Sequence, residues 1–99
     1  MRPKKTRWVK CKPSERVFKP LTKSRSADKV VLLTLDEFEA VRLLDQRGLS
    51  QTEAAKEMRV HRSTVSRIAA LARRKIAGAL VDINTLKIEG GCCKVAKGD

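Results

Sequence analysis

Residues 50–68 read SQTEAAKEMRVHRSTVSRI, and the architecture follows from how this stretch divides. Ser50 and Glu53 stand at the spacing of a capping box, in which the serine hydroxyl accepts from a helical amide and the glutamate reaches back to the cap amide. The box opens a helix over residues 51–58 whose inward positions, Ala54, Ala55 and Met58, are small or adaptable. Arg59, Val60 and His61 then make a turn, and a third helix starts at His61 or Arg62 and runs to about Leu80. A short capped helix, a tight turn and a longer helix with an exposed basic face together describe a helix-turn-helix. Its first helix must approach the second closely, which calls for Ala54 and Ala55 at the contact. The turn must bury one apolar residue, here Val60.

Along the third helix Val65, Ile68, Leu71 with Ala72, Ile76, and Ala79 with Leu80 recur at three and four residues, so one apolar stripe is expected to face the first two helices. A rotation of about 100° per residue away from Val65, Ile68 and Ala72 leaves Arg62, Ser63, Ser66, Arg67 and Ala70 outward. Arg62 and Arg67 can fork onto guanine O6 and N7 or clamp phosphates, while Ser63 and Ser66 can donate to bases or backbone. Residue type alone leaves base and phosphate contact open. Ser50 and Gln51 sit at the positive end of their helix, a position suited to a phosphate. His61 either caps the third helix or touches phosphate. Arg73, Arg74 and Lys75 lie about 16 to 20 Å beyond Arg62 at 1.5 Å per residue, and are assigned to backbone contact or a dimer surface.

Upstream, VVLL at residues 30–33 reads as a short strand leading into a second box, Thr34 with Glu37. A first helix is expected over residues 35–47, ended by Gly48, with Leu35, Phe38, Val41 and Leu44 inward and Ala40 and Leu43 beside them. Asp36, Glu37 and Glu39 place negative charge at its positive end. The first 29 residues hold Pro3, Pro13 and Pro20 and no helical period, so they read as a basic extended segment with short strands near residues 7–10 and 16–18. Trp8 and Phe18 are expected as small-core anchors. Downstream, residues 82–99 read as one short strand around Leu86 and Ile88, pairing with the N-terminal third, and a disordered tail after Gly91.

Composition sets the class. A chain of 99 residues is one domain, and 3% aromatic content makes an aliphatic core of packed helices the expectation. The formal charge of +12 is uneven: counted in blocks, residues 1–29 carry +9, 30–49 carry −2, 50–81 carry +5 and 82–99 carry none. Such density favours a polyanion as partner, since each neutralised phosphate releases counterions. Arg2, Lys4, Lys5 and Arg7 are expected to add phosphate contacts or a minor-groove arm. Three cysteines, Cys11, Cys92 and Cys93, form no C-x-x-C, and no apolar stretch suits a signal peptide or membrane span. A reducing cytoplasm and no cofactor follow as expectations. A metal or redox site joining Cys11 to Cys92 or Cys93, with His61, is the weaker reading of the cysteines.

Read in order, VLLTLDEFEAVRLLD (31–45), GLSQTEAAKEM (48–58), VHRSTVSRI (60–68), ARRKIAGAL (72–80) and LKIEGG (86–91) resemble the uncharacterised protein family 0251, or domain of unknown function 134, of bacteria and archaea. RPKK at 2–5 and FKP at 18–20 fit it too. The resemblance implies helix-turn-helix DNA binding similar to region four of the primary sigma factor, and a transcription-related role. Two departures stand out. The family's Gly-Val-Ser turn is Arg59-Val60-His61 here, and a left-handed Arg59 carries strain of roughly 1 kcal/mol. The family's following proline is Ser63, which frees a side chain for contact.

The expected protein is thus mainly α, a three-helix, sigma region four-like helix-turn-helix domain over residues 30–81 with short β segments at both ends. It is read as a non-enzymatic regulator, without carboxylate pair, nucleophile dyad or phosphate loop. Its expected partners are double-stranded DNA and a second copy, with RNA polymerase or another transcription factor as a further one. The alternatives are an RNA- or ribosome-associated basic protein, and a module that docks on the transcription machinery.

Overall fold

The computed structural model describes residues 16–21 and 29–90, and the backbone alone of residues 7–9 and 93–95. The elements run β1 (Arg7–Val9), β2 (Arg16–Phe18), β3 (Val30–Leu33), α1 (Leu35–Val41) with a π-helical continuation (Arg42–Gln46), α2 (Gln51–Met58), α3 (Arg62–Val81), β4 (Thr85–Ile88) and β5 (Cys93–Val95). The mainly helical class and the three helices are as the sequence predicts. So is the pairing of β4 with the N-terminal third.

Two small cores share α3. Its first half packs Val65, Ile68 and Ala69 against Ala40 and Leu43 from the first helix and Ala54, Ala55 and Met58 from α2, with Leu44, Leu49 and Val60 at the margin. Its second half lays Ala72 and Ile76 on Leu33 and Ile88 of the sheet, joined by Leu35, Phe38, Val41 and Leu86. β4 is the middle strand, antiparallel to β2 and parallel to β3. The parallel pair brings Leu33 and Ile88 together on the face that meets α3.

Four expectations are corrected. Leu71 and Leu80 do not belong to the buried stripe, at 54% and 75% exposed, and the fully buried Ala69 takes the place given to Leu71. The stripe drifts around α3 because 3.6 residues per turn carry Leu71 past one edge of a narrow contact and Leu80 past the other. The first helix is not α-helical throughout. Beyond Val41 it widens into a π turn, with the Arg47 amide donating to the Arg42 carbonyl at 2.9 Å, which lets Leu43 enter the core while Asp45 stays outside. Phe18 is no core anchor, since it lies on a sheet edge and is 59% exposed. The tail after Gly91 is not without structure, because Cys93–Val95 pairs in parallel with Arg7–Val9. The side chain of Trp8 lies outside the described residues.

Gly48 ends the first helix at φ +71°, as predicted. Arg59 ends α2 at φ +56° and ψ +45°, so the left-handed turn is kept without its glycine. Arg59→Gly should relieve the strain of an L-residue there, about 1 kcal/mol, against glycine's added chain entropy. A net gain of about 0.5 kcal/mol is expected as a higher urea midpoint at unchanged slope.

Candidate nucleic-acid interface

The candidate surface is built on α2, its turn and the first half of α3. Ser50 caps α2 by accepting from the Glu53 amide at 3.1 Å, and Glu53 accepts from the Ser50 amide at 3.0 Å. The capping hydrogen bonds hold the Glu53 carboxyl below its usual range, Lys56 adding a little. A lowered folded-state pKa stabilises above the unfolded value, and this contribution is lost as pH falls through the folded one. The box is therefore fully formed at neutral pH. At α1 the Glu37 carboxylate accepts from the Thr34 amide at 2.8 Å, and the Thr34 hydroxyl donates to Asp36.

The turn leads into α3 through His61, whose Nδ1 accepts from the Ser63 amide at 3.2 Å and lies 2.9 Å from the Ser63 hydroxyl. Capping was one of its two sequence readings. An accepting Nδ1 leaves the ring proton on Nε2, where it can donate outward. Arg62, Ser63, Ser66, Arg67 and Ala70 are all exposed, as the rotation predicts. Val65, Ile68 and Ala69, buried on the other side, fix that orientation. Among the described residues no ion pair engages Arg62, Arg67 or Arg74, so three guanidinium groups face solvent along one side of the helix. Arg67 also borders a cleft shared with Thr34, Asp36, Thr64 and Leu71.

The second half of α3 differs from the expectation. Arg73 is turned back onto Asp45, its Nη2 2.9 Å and its Nε 3.1 Å from the two carboxylate oxygens, and this pairing keeps the guanidinium charged still further above its usual range. Lys75, expected to point outward, is paired within the fold. It reaches inward, donating to Glu37 at 2.7 Å and to the Leu32 carbonyl at 3.0 Å, because the α1 cap leaves that buried carboxylate facing α3. Arg74 alone of the three stays outward and unpaired. Ser50 and Gln51 are exposed at the start of α2, with the Ser50 hydroxyl engaged by its own helix.

Sequence reasoning missed the acidic support behind this face. Glu39, 1% exposed, accepts from Arg42 at 2.6 and 3.0 Å, and Glu37 accepts from Lys75. The i, i+3 spacing of Glu39 and Arg42 was the available signal for the first. Nothing in the spacing of Glu37 and Lys75 signals the second. Arg16 extends over the Phe38 ring at 4.9 Å, so part of the basic N-terminal block is used internally. Arg2, Lys4 and Lys5 lie outside the described residues, as does the side chain of Arg7. Cys11 and Cys92 lie outside them too, and Cys93 is described by its backbone. Among the described residues no three His, Cys, Asp or Glu side chains gather as metal ligands, and no helix is long and apolar enough to cross a membrane.

The pattern of the family described as "Protein of unknown function DUF134" matches residues 1–96. A UPF0251 protein of Caldanaerobacter subterraneus subsp. tengcongensis is 47% identical over 94 residues, covering 95% of this chain and 80% of the relative. One from Thermoanaerobacter pseudethanolicus is 44% identical over 98 residues, covering 99% and 83%. One from Methanosarcina mazei is 42% identical over 99 residues, covering all of this chain and 60% of the relative. No solved structure matches the chain.

Proposed function

The chain belongs to the DUF134 family, also called UPF0251, and we propose that it is a non-enzymatic, cytoplasmic DNA-binding regulator whose α2 and α3 act as a sigma region four-like helix-turn-helix. The observation that carries this reading is the exposed, unpaired set Arg62, Ser66, Arg67 and Arg74 on one side of a helix braced from behind by α2. A helix of this kind enters the major groove with its first turns against base edges. Arg62 and Arg67 supply the forks, and Ser66 the hydroxyl left free by its surroundings, while Ser63 divides its hydroxyl between His61 and the DNA. Gln51 and the Nε2 of His61 hold phosphates on one side and Arg74 on the other. Arg73, already held by Asp45, orients the helix end more than it binds.

The test is fluorescence anisotropy of a labelled random duplex against rising salt. Log K should fall linearly with log salt at about −0.9 per phosphate engaged, so four to six contacts give a slope of roughly −4 to −5. Structured RNA that outcompetes duplex DNA at equal salt, or no duplex binding at about 50 mM salt, sinks the reading.

A further inference from the structure

The two cations of α3 that pair within the fold are held in different ways. Lys75 goes to Glu37, whose side chain is only 7% exposed, and to the Leu32 carbonyl, so it ties α3 to α1 and β3. Arg73 goes to Asp45 in a pair that stays open to water, with 51% and 45% of the two side chains exposed. Both carboxylate oxygens are engaged, at 2.9 Å from Nη2 and 3.1 Å from Nε, the fork in which a guanidinium also takes a phosphate.

Asp45 stands where local rules disfavour it. It lies in the π turn that closes the first helix, at the negative end of the helix dipole, where a cation is the stabilising charge. That turn, a feature frequent at functional sites, sends Leu43 into the core and leaves Asp45 outside, with Arg73 as its partner among the described residues. Arg73 in turn lies where a free guanidinium would bind. It points within about 20° of Arg62, eleven residues earlier, and Ser66 lies on the same flank between them. At 1.5 Å per residue it is about 16 Å beyond Arg62, past the first turns that meet base edges, so its contact there is a phosphate.

We propose that Asp45 is a built-in stand-in for a DNA phosphate, which occupies the Arg73 fork and keeps one sequence-independent contact out of the interface. The inference rests on the DNA-binding reading and adds to it a residue that opposes binding. A phosphate that displaced Asp45 would leave this carboxylate unpaired beside the DNA backbone, so the exchange gains little. A pair open to water on both sides contributes little to stability, so Asp45 limits affinity without bracing the fold.

The test is a double-mutant cycle on the full chain, read by anisotropy of a labelled random duplex. Asp45→Ala frees Arg73 for one more phosphate. At about 0.9 in slope per phosphate, this is worth roughly tenfold in affinity at about 50 mM salt and fourfold at about 200 mM, with the salt slope steeper by about one. In the Arg73→Ala background the same substitution should change affinity by less than about twofold, because its effect travels through Arg73. Circular dichroism and the thermal midpoint should match the native chain in all three variants, as expected of an exposed pair. Unchanged affinity and slope in Asp45→Ala overturn the inference. So does a gain that persists without Arg73, which makes Asp45 a nearby negative charge only. If neither the native chain nor Asp45→Ala binds duplex at low salt, the DNA-binding reading falls and this one with it; a native chain that binds while the cycle stays flat defeats this one alone.

Discussion

Replacing Arg62 and Arg67 together by alanine is expected to weaken duplex binding by about 100-fold or more. Each guanidinium that forks onto a guanine or clamps a phosphate contributes roughly 1–3 kcal/mol, and the two lie five residues apart on the solvent-exposed surface of α3. Both are exposed and unpaired, so the thermal midpoint should move little. The single variants divide the loss. If Arg67 reads a base, Arg67→Ala loses more on a selected site than on random duplex and flattens the preference at one position. If it holds a phosphate, both duplexes weaken alike and the salt slope drops by about one. Arg73→Ala provides the contrast: because Asp45 already occupies its fork, its loss should be severalfold smaller than that of Arg67→Ala. Anisotropy titrations at matched salt measure all three. Equal binding by the double variant and the native chain would remove α3 from the interface.

The largest expected effect on stability lies at Lys75, whose methionine substitution should cost about 2 kcal/mol. Its partner Glu37 is only 5% exposed, and removing one member of a buried pair leaves the other as an uncompensated charge, at up to 3–5 kcal/mol when both are sealed. The Lys75 side chain is 34% exposed, so water recovers part of that penalty. The amide of Thr34 continues to hold the Glu37 carboxylate and recovers more. Arg73→Met sets the scale, because that pair is about half exposed on both sides and should be worth less than 1 kcal/mol. Urea unfolding of the two variants, and of Lys75→Met with Glu37→Gln, separates the cases. A double variant as stable as the native chain would show that the buried charge, and no lost contact, carried the cost. A Lys75→Met loss no larger than that of Arg73→Met would refute the burial argument.

Local rules made most of the helical part legible. Ser50 with Glu53, Gly48 after the first helix, and the recurrence of Val65, Ile68 and Ala72 each depend on neighbours within four residues, and each is found where the spacing puts it. Leu71 and Leu80 failed because periodicity marks a stripe without its width, and this stripe is narrow: alanines at 69, 72 and 79 face the bulkier layers opposite. The sheet was half legible. That β4 pairs with the N-terminal third follows from alternation and turn residues, but its parallel partner β3 is reached only by way of three helices, and no local signal encodes such a register. The site divides the same way. Outward Arg62 and Arg67 come from rotation alone, whereas the capture of Arg73 by Asp45 and of Lys75 by Glu37 depends on elements 28 and 38 residues away.

The middle position of β4 also sets an order of assembly. Leu86 pairs with Phe18, 68 residues earlier, and with Val31, 55 residues earlier, while the core under the first half of α3 is built within residues 40–69. Closing the longer loops costs more entropy before any contact rewards it, so the helical unit can condense first and the sheet last. On a growing chain the order is enforced, since neither β2 nor β3 has its strand partner until residue 88 is made. The exposed basic side of α3 is then an early product of folding, and the packing of its far end on the sheet a late one.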